Sequence, residues 1–239
     1  MTHQTSMSFI SRSSISLPRS LQPLKRLILA LLTLLLAWPA LADEADDATR
    51  VRTIEQTFLA HGVEKVEIDV TLASLAVVGV DGSRKADVEV ILSCRRKDDA
   101  KCLRRAERIR LAPRLNAKKM ALRVKGTSRG QAGGIEAHMK IRIPSHVALE
   151  IDMAGGDVLV QDMLSHVEID SGGGNIEYFG QQDKIASFKV DVGFGKGSLW
   201  LRDSKVDASG WPRSIDWKGS GQAKIEFDLG GGTVKARLD

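Results

Sequence analysis

The chain has 239 residues, with 35 Lys or Arg against 30 Asp or Glu and a sequence pI near 9.3. Residues 1–42 hold four of the basic side chains and none of the acidic ones, which leaves 31 against 30 beyond them. The basicity therefore belongs mostly to the N-terminal segment and gives no ground for a nucleic-acid partner.

That segment places Arg12, Arg19, Lys25 and Arg26 before the apolar run LILALLTLLLAWPALA, which ends in Ala40-Leu41-Ala42. A basic region, an apolar run and a small-residue end predict a secretory signal peptide over 1–42, cut after Ala42. The competing reading is a membrane anchor, but the run is interrupted by Pro39 and falls short of the roughly 20 residues a span needs. No transmembrane segment is expected after cleavage. The expected location is periplasmic or secreted. Residues 43–239 are expected to form a single domain, irregular over 43–136 and regularly repetitive over 137–239, long enough to bury a core.

After a polar stretch at 43–50, KVEIDV (65–70), LAVVGV (75–80) and DVEVILS (87–93) read as short strands, the first and last by apolar–polar alternation. Cys94 and Cys102 follow, the two cysteines of the chain. In an exported protein an even pair predicts a disulfide, whose small loop contributes roughly 2–3 kcal/mol. The rival reading, a pair of metal ligands, lacks neighbouring histidines. Residues 98–110 carry Cys102, Leu103, Ala106 and Ile109 at helical spacing, with Asp98 or Asp99 to cap and arginines in the later turns, which predicts one short helix with Pro113 beyond its end. Strands resume at 119–126 and at HMKIRIP (138–144).

From Val147 the chain repeats itself: LEIDMAGGDVLVQD, VEIDSGGGNIEYFG, FKVDVGFGKGSLWLRD, KVDASGWPRSIDW and IEFDLGGGTVKARLD. Each unit is a strand ending in Asp, a turn and a second strand. The aligned aspartates are Asp152, Asp170, Asp191, Asp207 and Asp228, with an earlier echo at Asp69. Fifteen of the 22 glycines lie between 155 and 232, which locates the turns. Self-similarity near 20 residues predicts an all-β parallel solenoid, resembling a single-stranded β-helix, in which successive coils pair and glycines gather at corners.

The glycine runs lack the Lys and hydroxyl of a P-loop, and no helix follows them to receive a phosphate. The aspartates precede the glycines, unlike the calcium-binding roll motif, and are read as accepting amides of their own turns. His146 and His166, in two SHV units, are read as exposed strand starts rather than metal ligands. No nucleophile elbow or zinc-protease motif is present. No catalytic residue, metal or other cofactor is expected.

Two surfaces are candidates for ligand contact. One is a basic region, residues 95–129, with fourteen Lys or Arg against three acidic residues, including Arg104, Arg105 and Arg108. The other is aromatic: Phe194 and Trp211 in glycine-containing loops, and Trp200, which alternation turns outward if Leu199 and Leu201 face the core. Tyr178 and Trp217 are expected to face inward.

The stretch IRIPSHVALEIDMAGGDVLVQD, followed by VEIDSGGGNIEYFG, resembles a family of exported bacterial β-solenoid proteins named "putative adhesin" domains, formerly a domain of unknown function. The likeness covers roughly 137–239 well and 51–125 loosely, and departs from the family pattern at VTLAS after Asp69, where glycines belong. It implies a non-enzymatic, secreted or periplasmic role and transfers no catalytic residues. The expected function is an adhesin-like interaction module of the cell envelope, its partner a protein, a polysaccharide or an anionic surface. The alternatives are an enzyme acting on envelope polysaccharide, and a structural or sensing component with a protein partner.

Overall fold

The computed structural model describes residues 49–94, 100–126, 134–210 and 212–239. The expected signal peptide, the Asp98/Asp99 cap and Trp211 lie outside the described residues. What is described is mostly β, with one α-helix.

The strands are β1 (Thr49–Leu59), β2 (Lys65–Leu72), β3 (Ser74–Val80), β4 (Lys85–Cys94), β5 (Arg110–Leu115), β6 (Lys119–Lys125), β7 (Ile135–Pro144), β8 (Ala148–Gln161), β9 (Val167–Ser171), β10 (Gly174–Gly180), β11 (Ile185–Trp200), β12 (Lys205–Asp207), β13 (Arg213–Lys218) and β14 (Ala223–Leu238). Helix α1 spans Ala100–Ala106, inside the predicted 98–110. Pro113 lies beyond it in β5, an edge strand where a missing N–H is tolerated.

The strands form two rows. The first runs β5–β6–β2–β8–β9–β14–β11–β13, and the second runs β1–β4–β7–β3–β8–β10–β14–β11–β12. The long strands β8, β11 and β14 take part in both. Pairing is parallel through the middle of each row and antiparallel at the ends. Because β8 and β14 run through both rows while β9 and β10 between them are separate strands, β8, β9, β14 and β10 close a four-stranded parallel ring, which the expected open solenoid does not contain. Inward side chains of both rows share one hydrophobic core. In its C-terminal part Tyr178, Phe188 and Phe227 pack with ring centroids 5.5–6.2 Å apart.

The corners between rows explain the glycine runs. Gly156, Gly174, Gly232 and Gly195 are register partners on four adjacent strands, all with positive φ between 122° and 141°. A Cβ on Gly174, Gly232 or Gly195 would overlap the carbonyl oxygen of the next glycine in the column. Only glycine permits both that backbone conformation and that approach.

The order of the strands differs from the solenoid that the sequence predicts. Successive repeats were expected to stack in chain order, which would leave β14 at one end. Instead β14 lies between β9/β10 and β11. The repeat read at 205–217 does not join the parallel order. It supplies β12 and β13, both antiparallel to β11, and Asp207 stands outside the aspartate column. The remaining aspartates are in register as Asp69–Asp152–Asp170–Asp228–Asp191. They sit in mid-strand, and among the described residues none accepts an amide of its own turn. Asp69 instead meets Arg123 at 3.1 Å and Asp191 meets Lys189 at 3.4 Å. Partial burial, and then the neighbouring carboxylates of Asp69, Asp170 and Glu150, raise the Asp152 pKa above the usual aspartate range.

Cys94 and Cys102 are joined in a disulfide with Cα atoms 6.1 Å apart, within the ordinary span of such a bond. Both are fully buried. The bond ties α1 to the end of β4. The α1 exit is also held by Arg52 on β1, whose guanidinium donates to the carbonyls of Ala106, Glu107 and Ile109 at 2.9–3.0 Å.

Candidate binding face

Strand alternation presents a second set of side chains on the outer surface of each row. On the second row, one line of register partners reads Lys205–Trp200–Arg237–Phe179–Gln161–Val78–Arg142. A parallel line, two residues earlier on the central strands, reads Ser198–Lys235–Glu177–Leu159–Ala76–Lys140. Half-buried Ala76, Val78, Leu159, Phe179 and Trp200 thus make an apolar stripe with cations toward both ends.

Trp200 turns outward, as alternation predicts, beside the fully buried Leu199. The Lys205 ammonium lies 5.0 Å from the centre of its ring, within the range of a cation–π contact. Tyr178 and Trp217 also follow the expectation, Tyr178 fully buried and Trp217 packed against the core.

Two shallow depressions run along this face. One, of about 460 Å³, is lined by residues of β7, β3, β8, β10 and β14, among them His138, Lys140, Leu159 and Asn175. The other, of about 350 Å³, is floored by Phe179, Trp200 and Arg237. They adjoin at Glu177 and Lys235, which line both and pair with each other, and together they mark out the open groove. From β7 to β11 it crosses five strand spacings, roughly 24 Å at about 4.8 Å each.

Several polar groups in and beside the groove are held by partners. Lys235 reaches Glu177 at 3.3 Å. The Asn175 amide donates to Asp157 Oδ1 at 2.8 Å. Asp207 accepts from Ser198 at 2.6 Å and pairs with Lys205 at 2.8 Å, and Lys205 followed by Ser198 lowers its pKa below the usual range. Among the described residues Arg237, Arg142 and Lys140 make no ion pair.

The predicted contact residues do not form one site. Phe194 is 70 % exposed, at the corner beside Gly195, six residues and one bend from Trp200. Arg104 and Arg105 lie on α1 and Arg108 just after it, against the opposite end of the stack. Phe179, Arg237 and Arg142 were not singled out from the sequence. Phe179 had a signal, because it directly follows an inward tyrosine in a strand. Arg237 and Arg142 had none, because their place beside the aromatics depends on which strands pair.

No family model matches the chain, and no curated protein matches it. Among solved structures it is similar to a "putative cell adhesion protein" from Clostridium sporogenes, at 13% identity and a TM-score of 0.47 over 79% of this chain and 100% of that one. It is also similar to a "putative lipid binding protein" from Parabacteroides distasonis, at 8% identity and a TM-score of 0.26 over 78% and 94% of the two chains. A third is a "putative adhesin" from Bacteroides fragilis, at 12% identity and a TM-score of 0.24 over 78% and 97%.

Proposed function

We propose that the chain is an exported, non-enzymatic binding module of adhesin type, built as a modified β-solenoid, whose groove on the second row holds an extended glycan of the cell envelope. The observation that carries this reading is the open apolar stripe of Leu159, Phe179 and Trp200, interrupted by the unpaired guanidinium of Arg237. Flat aromatic and aliphatic surfaces suit the C–H faces of sugar rings, and a guanidinium suits a carboxylate or sulfate substituent. The strand spacing gives a repeated lattice of contacts along the groove. Export is supported by the disulfide, which persists in oxidising compartments. No described helix is long and apolar enough to cross a membrane. The non-enzymatic reading is supported by the groove carboxylates Asp157 and Glu177, each engaged by a neighbour rather than paired across a reacting centre.

The test is retention of the exported protein on immobilised envelope polysaccharide, for wild type and for Phe179→Ala/Trp200→Ala. Retention should be lost in the double variant while its melting temperature stays close to wild type, since both side chains lie on the outer surface. Equal retention of both proteins, or turnover of the polysaccharide, overturns the reading.

A further inference from the structure

The outer face of the first row is divided by charge. Strand alternation turns Arg110 and Arg114 of β5, and Lys119, Arg123 and Lys125 of β6, to that face, with no acidic side chain among them. On the first-row parts of β8, β9 and β14 it turns out Glu150, Asp152, Glu168, Asp170, Glu226 and Asp228, against one lysine, Lys224. β2 lies between the two strips, and there the charges neutralise each other. Lys119 and Arg123 reach Glu67 and Asp69, and Lys65 reaches Glu150.

Away from that boundary the charges are left over. Arg110, Arg114 and Lys125 on one side, and Asp152, Glu168, Asp170 and Asp228 on the other, are exposed and make no side-chain hydrogen bond or ion pair among the described residues. Arg110 stands directly opposite Lys125 in the antiparallel ladder. Asp152, Asp170 and Asp228 stand side by side in the parallel one. Like charges so placed oppose folding, so the stability of a single chain does not account for them. Each strip carries the charge that the other lacks. Within one molecule they cannot meet, because β6 and β9 are three strand spacings apart, roughly 14 Å.

We propose that the outer face of the first row is a self-complementary surface on which a second copy of this chain docks. A two-fold axis parallel to the strands and lying over β2 reverses the strand order, so it lays β5 and β6 of each copy over β9 and β8 of the other. Rotation about such an axis leaves position along the strands unchanged. Arg114 lies on the register line that runs through Ala121, Glu67 and Glu150 to Glu168, so it meets Glu168 of the second copy. Arg110 lies one step beyond the line that carries Asp170, within reach of that carboxylate. Each contact occurs twice. From β5 to β14 the face spans five strand spacings, roughly 24 Å, which suits a weak contact rather than a permanent one. It is separate from the Trp200 groove on the second row and stands whether or not the groove binds glycan.

The experiment is sedimentation equilibrium of the exported protein at low salt and at about 1 M salt, where charges are screened beyond about 3 Å. Wild type should dimerise at low salt and be monomeric at high salt. Arg110→Glu/Arg114→Glu and Glu168→Lys/Asp170→Lys should each lose roughly tenfold or more in association. An equimolar mixture of these two variants should recover the dimer, because one contact is then native, the other inverted, and both attractive. Phe179→Ala/Trp200→Ala should dimerise as wild type does, which separates this surface from the groove. If a reversed variant fails to fold, Arg114→Gln and Glu168→Gln decide, each expected to weaken the dimer several-fold. A wild type that is monomeric at low salt overturns the proposal. So does a dimer that survives high salt or both reversals, and so does a mixture that stays monomeric.

Discussion

At Gly174 two constraints coincide, a φ of +122° and the carbonyl of Gly156 where a Cβ would stand. Gly82 has one constraint, a φ of +66° with open space around it. Gly174→Ala should therefore cost roughly 2–3 kcal/mol, at the upper end of ordinary single substitutions, and Gly82→Ala about 1 kcal/mol. Denaturant unfolding of the two variants checks the ordering. Asp152 poses a different problem, because its carboxylate is surrounded by others in register. Its folded pKa is raised above the usual value, so the folded state binds its proton more readily than the unfolded chain. The stability that this proton linkage supplies is full below the unfolded pKa and is lost as pH rises through the raised folded one. Asp152→Asn should raise the melting temperature at pH 7 and change it little below the unfolded pKa, as thermal melts across that range would show.

Among the elements, α1 has the least local support. It is seven residues long, without acidic side chains in its first turn, and so short a helix is marginal alone. The Cys94–Cys102 bond and the three carbonyls held by Arg52 fix it in place. Cys94→Ser/Cys102→Ser should lose roughly 2–3 kcal/mol by loop entropy. The loss should appear first as faster amide exchange over 100–109, while β8 and β10 stay protected. The helix, the disulfide and the orientation of Trp200 were legible in the sequence because each rests on local spacing. The partner of each strand was not. Any coil of a 20-residue repeat presents similar edges, so the alternation that identifies a strand does not say which neighbour it takes. One trace was available: Gly172–Gly174 and Gly230–Gly232 are both unbroken triplets, whereas Phe194 interrupts the corner of β11, and the two triplets are neighbours in space.

For the molecule as a whole, β14 joins two assemblies. On one side β11, β12 and β13 pair with one another and with β14, and on the other stand β9 and β10. Ile225, Phe227, Leu229, Val234, Ala236 and Leu238 of β14 are all at most 1 % exposed. At 1.5–3 kcal/mol for each large side chain their burial amounts to roughly 10 kcal/mol, comparable with the whole stability of a domain, about 5–15 kcal/mol. Deleting residues 223–239 should abolish cooperative melting altogether rather than trim one end of a stack. A truncated protein that remains monomeric on size-exclusion chromatography with an unchanged circular-dichroism melt would contradict this.

The interior position of β14 also sets a timetable. A ribosome delivers β11 before the strand that attaches it, so through that interval β10 and β11 both wait with an open parallel edge of matching register. Such edges recruit other strands, and identical chains arriving together supply them. A neighbour's β14 carries the same register and would fit that gap as well as the chain's own. The glycine column restricts which strands can compete, since an intruder with a side chain at the corner cannot seat there. At that gap the carbonyls of Gly174 and Gly232 admit only a strand with glycine in register.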